Sequence, residues 1–340
     1  MKKRKPQEPV RPFTYIEKEV SFTNSFDGTI LKGTLTIPDN TNKYPAVILV
    51  TGSGPQNRDE ELLGHKPFLV ISDHLTKAGI AVLRYDDRHY KMSAKKGGQY
   101  TTMDLAGDAK AAFDFLFNHI NIDNSFIGIA GHSEGGVIAP IVASTEPKVA
   151  FIISLAGPGL SGKIIGDKQA VDFAKDQKGI EFGQSVMQII DDEPDFSLRK
   201  RKIWKAFNTT YGIFHFWGRF MYYFMIDHTA SEWHRFFRKY NPADAWQKVK
   251  CPVLALNGEF DIQVYPNENL KAIEEALKIA DNSNYTTLVI PKANHLFQTV
   301  ESGGPKAMAK LFKEYQQTEQ TFSPVVLDIM AEWINKQFKR

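Results

Sequence analysis

The stretch that most constrains this chain is residues 127–139, Ile-Gly-Ile-Ala-Gly-His-Ser-Glu-Gly-Gly-Val-Ile-Ala. A short apolar strand runs directly into Gly131-His132-Ser133-Glu134-Gly135, and small and apolar residues suited to a helix follow. Strand, sharp turn and helix around a GxSxG string describe a nucleophile elbow, in which a serine is lifted off the end of a parallel sheet. The serine backbone is strained there, and glycines flank it because side chains would clash. Ser133 is therefore the candidate nucleophile. The string also arises by chance, so the reading requires a base, an acid and an oxyanion site elsewhere in the chain.

The rest of the chain supplies a sheet for such an elbow. Residues 16–22 and 29–37 alternate apolar and polar on either side of the turn signal Asp27-Gly28, as two antiparallel edge strands would. Residues 46–50, Ala-Val-Ile-Leu-Val, form a continuous apolar run, expected of a strand covered on both faces. Further strands are expected at 80–84, 126–130, 149–155, 253–256 and 285–290. Helices are expected at 68–78, 102–118, after the elbow, at 266–279 and at 324–338. Strands alternating with helices in this way predict an α/β fold, a mostly parallel twisted sheet with helices on both faces.

Residues 160–240 interrupt the alternation with an aromatic-rich segment that includes Trp204, Trp217, Phe220, Tyr223 and Trp233. It reads as an inserted helical cap over the catalytic end of the sheet, with Trp217, Phe220 and Tyr223 as candidate substrate contacts. The expected organisation is a mobile tail at 1–14, a core at 15–159 and 241–340, and the cap at 160–240.

A serine hydroxyl needs a general base, itself oriented by a carboxylate. Of the nine histidines, His295 follows the strand at 285–290, where a loop at the strand's carboxyl end can reach the elbow. It is the candidate base, and His132, beside the serine, reads as structural. The strand at 253–256 ends in Asn257-Gly258-Glu259-Phe260-Asp261, which makes Asp261 the candidate acid and Glu259 a solvated loop carboxylate. The oxyanion of a tetrahedral intermediate needs fixed N–H donors. The backbone N–H of Glu134 is one; the other is expected from the loop after residues 46–50, at Ser53, with Gly54 as the alternative. Arg58 and Asp59 in that loop read as an ion pair with each other.

Composition narrows the alternatives. A hydrophobic share of 42%, a charged share of 24% and a net charge of +3 are ordinary for a globular protein and suggest no nucleic-acid partner. The single cysteine, Cys251, excludes an intrachain disulfide and a cysteine metal cluster, and its apolar neighbours suggest a buried, inert thiol. No apolar segment follows the basic start Lys2-Lys3-Arg4-Lys5, and no run is long enough to span a membrane. A cytoplasmic location is expected, or a periplasmic or exported one if a signal peptide has been removed. The run Gly157-Pro-Gly159-Leu-Ser-Gly162-Lys163 mimics a phosphate-binding loop but has Ile164 where a magnesium-ligating Ser or Thr should stand. It reads better as a flexible lead into the cap.

Five motifs together resemble the α/β-hydrolase superfamily. They are Val50-Thr-Gly-Ser-Gly-Pro-Gln-Asn-Arg-Asp59, Arg84-Tyr-Asp-Asp-Arg88, Gly131-His-Ser-Glu-Gly-Gly136, Ala156-Gly-Pro158 and Leu256-Asn-Gly-Glu-Phe-Asp261. The chain order Ser133, Asp261, His295 is the order expected on that sheet. More narrowly, the motifs resemble a bacterial group of serine carboxylesterases related to peptidases of the proline iminopeptidase type. The resemblance implies hydrolysis of small esters with short acyl chains, without a cofactor or metal, and supports the same triad. The chain departs from the pattern at His89-Tyr-Lys91-Met-Ser93, where the group has a glycine-rich run, so that loop is expected to follow another path. The expectation is a serine esterase. Its rivals are an aminopeptidase of the same fold, which needs a carboxylate cluster for the substrate ammonium, and a non-catalytic binding protein on a hydrolase scaffold.

Overall fold

The computed structural model describes residues 5–88, 90, 100–212, 223, 225–301 and 308–339. Eight strands form one sheet: β1 Ile16–Thr23, β2 Ile30–Ile37, β3 Tyr44–Val50, β4 Ala81–Tyr85, β5 Ile122–His132, β6 Val149–Leu155, β7 Val253–Gly258 and β8 Tyr285–Ile290. Their order is β1-β2-β4-β3-β5-β6-β7-β8. β1 and β2 pair antiparallel, β2 lies antiparallel on β4, and all pairings from β4 to β8 are parallel. This is the expected α/β-hydrolase architecture, with the alternating pair at one edge.

Continuous apolar strands follow from having helices on both faces. In β3, Val47 and Leu49 face one layer, while Ala46, Ile48 and Val50 face the other. The first layer contains α1 (Pro67–Lys77) and α11 (Pro324–Phe338), which bring Phe68, Ile71 and Leu75 together with Val326, Met330 and Ile334. The second contains α2 (Thr102–Phe117), α3 (Gly135–Ala143) and α9 (Pro266–Ile279), packed through Phe113, Leu116, Ile138, Ile273 and Leu277. Proline at the first turn of α1, α9 and α11 starts each helix where its missing N–H costs nothing.

Between β6 and β7 lie α4 (Gly162–Asp172), α5 (Gln177–Asp192), α6 (Phe196–Tyr211), α7 (Glu232–Lys239) and the short α8 (Ala243–Trp246). Side chains of Asp176, Asp195 and Ser231 accept the first free N–H groups of α5, α6 and α7, so local capping fixes where these helices begin. Val186, Ile190, Ile203, Ile226 and Ala230 form a separate small core there. Trp217 and Phe220 lie outside the described residues, and so does the loop at 89–93 apart from Tyr90. Tyr223 is exposed.

Other parts of the sequence reading gain detail. Residues 5–8, read as part of a tail, touch the segment after α10 (Met308–Gln317): Lys5 Nζ donates to Thr318 O at 2.7 Å, and Gln7 Nε2 to Phe322 O at 2.8 Å. α10 was absent from the sequence expectations, although Met308, Leu311, Phe312 and Tyr315 stand at helical spacing. Cys251 is partly buried, and burial pushes its thiol up to about 12, which keeps it protonated and unreactive. Among the described residues no helix is long and apolar enough to cross a membrane.

The elbow depends on backbone packed against backbone. A methyl on Gly131 would overlap the carbonyl of Gly135, and one on Gly135 would overlap the carbonyl of Val50. Gly131→Ala is expected to destabilise the fold by about 3 kcal/mol or more, since rigid backbone must move. Urea unfolding followed by circular dichroism measures this; an unchanged midpoint would refute the packing argument.

Candidate active site

The carboxyl ends of β3, β5, β7 and β8 converge. Ser133 follows β5 directly and has φ +52, a left-handed conformation that costs a non-glycine residue energy and marks a built turn. Its N–H is held by Leu155 O at 2.8 Å, at the end of β6, and α3 starts two residues later. The strand and the helix pull in different directions, which leaves the side chain at the crest.

The loops after β7 and β8 are stitched together before they present any side chain. Glu259 N donates to Ile290 O at 2.9 Å and Phe260 N to Ala293 O at 2.8 Å. Gly258 permits this, because a side chain there would strike the backbone of Ala293 and Asn294. Asn294 shapes the next turn, its Oδ1 accepting from Leu296 N at 3.1 Å and Gln298 N at 3.0 Å. The outcome is a 2.7 Å hydrogen bond between His295 Nδ1 and Asp261 Oδ2. Asp261 Oδ1 accepts from Gln263 N at 2.8 Å and Val264 N at 2.9 Å, so both carboxylate oxygens are engaged. Both side chains are buried. Glu259 points elsewhere, accepting Lys292 N at 2.8 Å from an exposed position.

The loop after β3 is held along its length. The Thr51 hydroxyl lies 2.8 and 2.9 Å from the two carboxyl oxygens of Asp87, which also accepts Gln56 N at 2.9 Å. Gly52 N donates to Glu60 Oε1 at 2.8 Å. Arg58 is anchored by Asp86 through its N–H at 2.9 Å and Nη2 at 2.8 Å, and by Glu19 through Nη1 at 2.6 Å. Asp59 instead pairs with Arg84. The expectation that Arg58 and Asp59 pair with each other is thus corrected: Asp86, after β4, and Glu19, on the exposed edge strand, take the guanidinium. Burial pushes the Asp87 carboxyl well up, against the hydrogen bonds from Gln56 and Thr51.

The amide N–H groups of Ser53 and Glu134 have no partner among the described residues, while that of Gly52 is consumed by Glu60. Gly52 allows close approach, since a methyl there would lie 3.1 Å from the Ser133 Cβ. Gly54 has φ +94, a conformation that glycine adopts without strain.

Ser53, Ser133 and His295 open on one cavity of about 280 Å³. Its far wall is Ile165 and Gln169 of α4 with Trp233 and Phe237 of α7. These aromatics, rather than Tyr223, are the described ones nearest the chemistry. Phe312 and Tyr315 of α10 close another side. Glu134 turns its side chain away from the cavity into the protein, where Oε1 accepts from Thr102 Oγ1 and Trp233 Nε1, both at 2.7 Å. Burial pushes this carboxyl up, against those hydrogen bonds. His234 on the wall is driven down to about 4 and His65 is also lowered, both chiefly by burial, so both are neutral.

The glycine run at 157–162 serves packing. Gly157 abuts Ser154 and Gly136, and the N–H groups of Gly159 and Leu160 are bound by Asn269 Oδ1 at 3.0 and 3.1 Å. Among the described residues no group of three or more His, Cys, Asp or Glu side chains is placed to hold a metal ion. The sequence reading missed Glu60 and Asp87. Three consecutive acids, Asp59, Glu60 and Glu61, look alike in sequence, and only the φ of +52 at Glu60 turns that one inward.

Comparisons with known proteins agree with this architecture. Esterase EstD of Thermotoga maritima is 23% identical over 327 residues, which is 96% of this chain and 69% of that protein. The Pyrococcus furiosus esterase Pf2001 superposes with a TM-score of 0.57 at 18% identity, over 100% of this chain and 98% of that one. The 2,6-dihydroxy-pseudo-oxynicotine hydrolase superposes with a TM-score of 0.51 at 16% identity, over 93% of this chain. This chain spans 66% of that enzyme's length. The model of the X-Pro dipeptidyl-peptidase (S15) family matches residues 27–296, and this chain, an α/β-hydrolase, belongs to that family.

Proposed function

We propose that this protein is a serine hydrolase that cleaves small, uncharged carboxylic esters through an acyl-enzyme. The observation that carries the reading is the buried 2.7 Å Asp261–His295 pair opening on the same cavity as the strained Ser133. In this mechanism His295 takes the Ser133 proton as the hydroxyl attacks the ester carbonyl. Asp261 holds the imidazole in the required tautomer and balances its charge. The N–H groups of Ser53 and Glu134 receive the oxyanion, helped by the positive end of α3, and are worth about 3 to 4 kcal/mol each. His295 then protonates the leaving alcohol, and water attacks the acyl-enzyme by the same route in reverse. The helices of 160–240 act as a cap that excludes bulk water.

The preference for esters rests on charge. A peptidase that reads a free N-terminus must hold an ammonium against an uncommitted carboxylate. Among the described residues Glu60 is the only carboxylate on the cavity wall, and its Oε1 is engaged by Gly52 and His132. Burying an unpaired ammonium there would cost several kcal/mol. The esterase relative supports the same choice. A cavity of about 280 Å³ suits short acyl chains. The family's name favours a dipeptidyl-peptidase as the second reading.

Three measurements test these statements. A fluorophosphonate probe should label the wild type and fail to label Ser133→Ala; a wild type that stays unlabelled would remove the nucleophile. Asp261→Asn should lower kcat by about 10⁴-fold, as loss of the orienting carboxylate does in serine hydrolases, whereas Glu259→Gln should change it little. The reverse pattern would transfer the acid role to Glu259. Nitrophenyl acetate and butyrate should turn over far faster than aminoacyl and Xaa-Pro nitroanilides. Preference for the anilides would establish the peptidase reading.

A further inference from the structure

A second carboxyl–imidazole pair lies behind the proposed triad, and the inference drawn from it rests on that triad. His132, the residue before Ser133, is buried with each ring nitrogen against an oxygen. Nδ1 lies 2.8 Å from Glu60 Oε1, and Nε2 lies 3.0 Å from the carbonyl oxygen of His295. A carbonyl oxygen can only accept. Glu60 Oε1 already accepts the Gly52 N–H at 2.8 Å, and as the oxygen of an ionised carboxylate it accepts from Nδ1 as well. A neutral imidazole has one N–H and one lone pair and would set that lone pair against one of these oxygens. Against an ionised Glu60, only the imidazolium, with two N–H groups, satisfies both.

The contacts made by this pair reach three separate segments. Glu60 holds Gly52, next to the proposed oxyanion donor Ser53. His132 is covalently joined to Ser133. Its Nε2 holds the backbone of His295, and the two rings lie 4.9 Å apart at 48°. We propose that Glu60 and His132 are positioning residues, a carboxylate–imidazolium pair that locks the oxyanion loop, the nucleophile and the base into one geometry, so that turnover requires the proton on His132.

The surroundings hold that proton in place. Burial by itself would drive it off, but the Glu60 charge and hydrogen bond, the His295 carbonyl and the Asp261 charge outweigh burial and hold His132 above the ordinary imidazole range. The titratable groups facing the pair are Glu60 from the loop after β3, Asp261 from the loop after β7 and His295 from the loop after β8. Asp87, from the loop after β4, faces the charge of Glu60. The sign follows from the raised value. His132 keeps its proton at neutral pH and loses it as pH rises through the folded value, when one of the two oxygens loses its donor.

The test is the pH dependence of kcat for wild type and Glu60→Gln on nitrophenyl acetate, with fluorophosphonate labelling of both. Glutamine keeps the size of the side chain and can still accept from Gly52, but cannot hold the cation. We expect kcat about 10- to 100-fold lower with KM little changed, since misplacing groups costs reaction rate rather than binding. The alkaline limb should move to lower pH by about one unit or more. An unmoved limb, or a loss confined to KM, overturns the proposal. Absence of labelling in the wild type instead overturns the triad on which it rests. Should Glu60→Gln not fold, ¹⁵N resonances of the His132 ring in the wild type decide. Two protonated nitrogens at neutral pH, titrating only at alkaline pH, support the pair, and one protonated nitrogen at neutral pH overturns it.

Discussion

The catalytic end of this molecule depends on backbone approaching backbone more closely than a methyl group allows. Gly131 lies on Gly135, Gly135 on Val50, and Gly258 on the chain at Ala293 and Asn294, while Gly52 lies beside Ser133. The Gly131 contact closes the elbow on itself, and the others join the loop after β3 to that after β5 and the loop after β7 to that after β8, which leaves the loops of each pair little room to move separately. Glycine is costly in the unfolded chain, about 0.5 to 1 kcal/mol each relative to alanine. The left-handed backbone at Ser133 costs about 1 to 3 kcal/mol more. Two fully packed faces of the sheet beneath supply the stability that offsets these costs.

On this frame the protein buries several ionisable groups within a short distance of one another. Asp261 with His295, Glu60 with His132, and Asp87 with Thr51 and Gln56 each join residues from different loops. Taking such charges out of water costs about as much as their attraction returns, so their presence is poorly explained by stability. What they provide is direction. A carboxyl oxygen that meets groups from different loops, as Glu60 Oε1 meets Gly52 and His132, fits few arrangements and so carries the geometry of one loop into the next. The charged groups at the edge differ in kind: Arg58 reaches the exposed Glu19, where water screens the pair and its contribution is small.

The parallel strands and the layer helices were legible in the sequence because each leaves a local signal, while residues 160–240 were legible as helical only as a block. A strand covered on two faces is apolar throughout, as 46–50 is, and the helix starts carry proline or a capping aspartate. The elbow was legible because its chemistry needs glycine at fixed spacing. Asp261 and His295 could be chosen because both follow apolar strands at the end of the sheet where Ser133 stands. Contacts set only by the path of a loop could not be read. Glu60 differs from its neighbours Asp59 and Glu61 by a backbone angle, and Arg58 finds Asp86 across 28 residues. The wall of the cavity was legible only as a class of residues for a related reason. Aromatics at helical spacing reveal which face of a helix is apolar but not which neighbour covers it, so Trp233 and Phe237 could not be told from Tyr223.

Substrate choice, on the proposed reading, depends on where the inserted helices keep their charges. Gly162 and Gly166 let α4 run close to α7, against Phe237 and Arg238. This places Ile165 and Gln169 beside Trp233 and Phe237 as a continuous uncharged wall. Two buried cations of the inserted helices are committed elsewhere: Arg238 of α7 onto Asp167 and Asp191, and Arg199 of α6 onto Glu232 and the carbonyls of Glu193 and Ala230. Trp233 then joins this unit to the core through the carboxyl of Glu134, whose own N–H is the proposed oxyanion donor. On that reading, the residue proposed to stabilise the developing charge is also the one that seats the wall against which the acyl group must fit. A substrate carrying a formal charge would meet no uncommitted counter-charge among the described residues of that wall, and would lose its hydration without compensation.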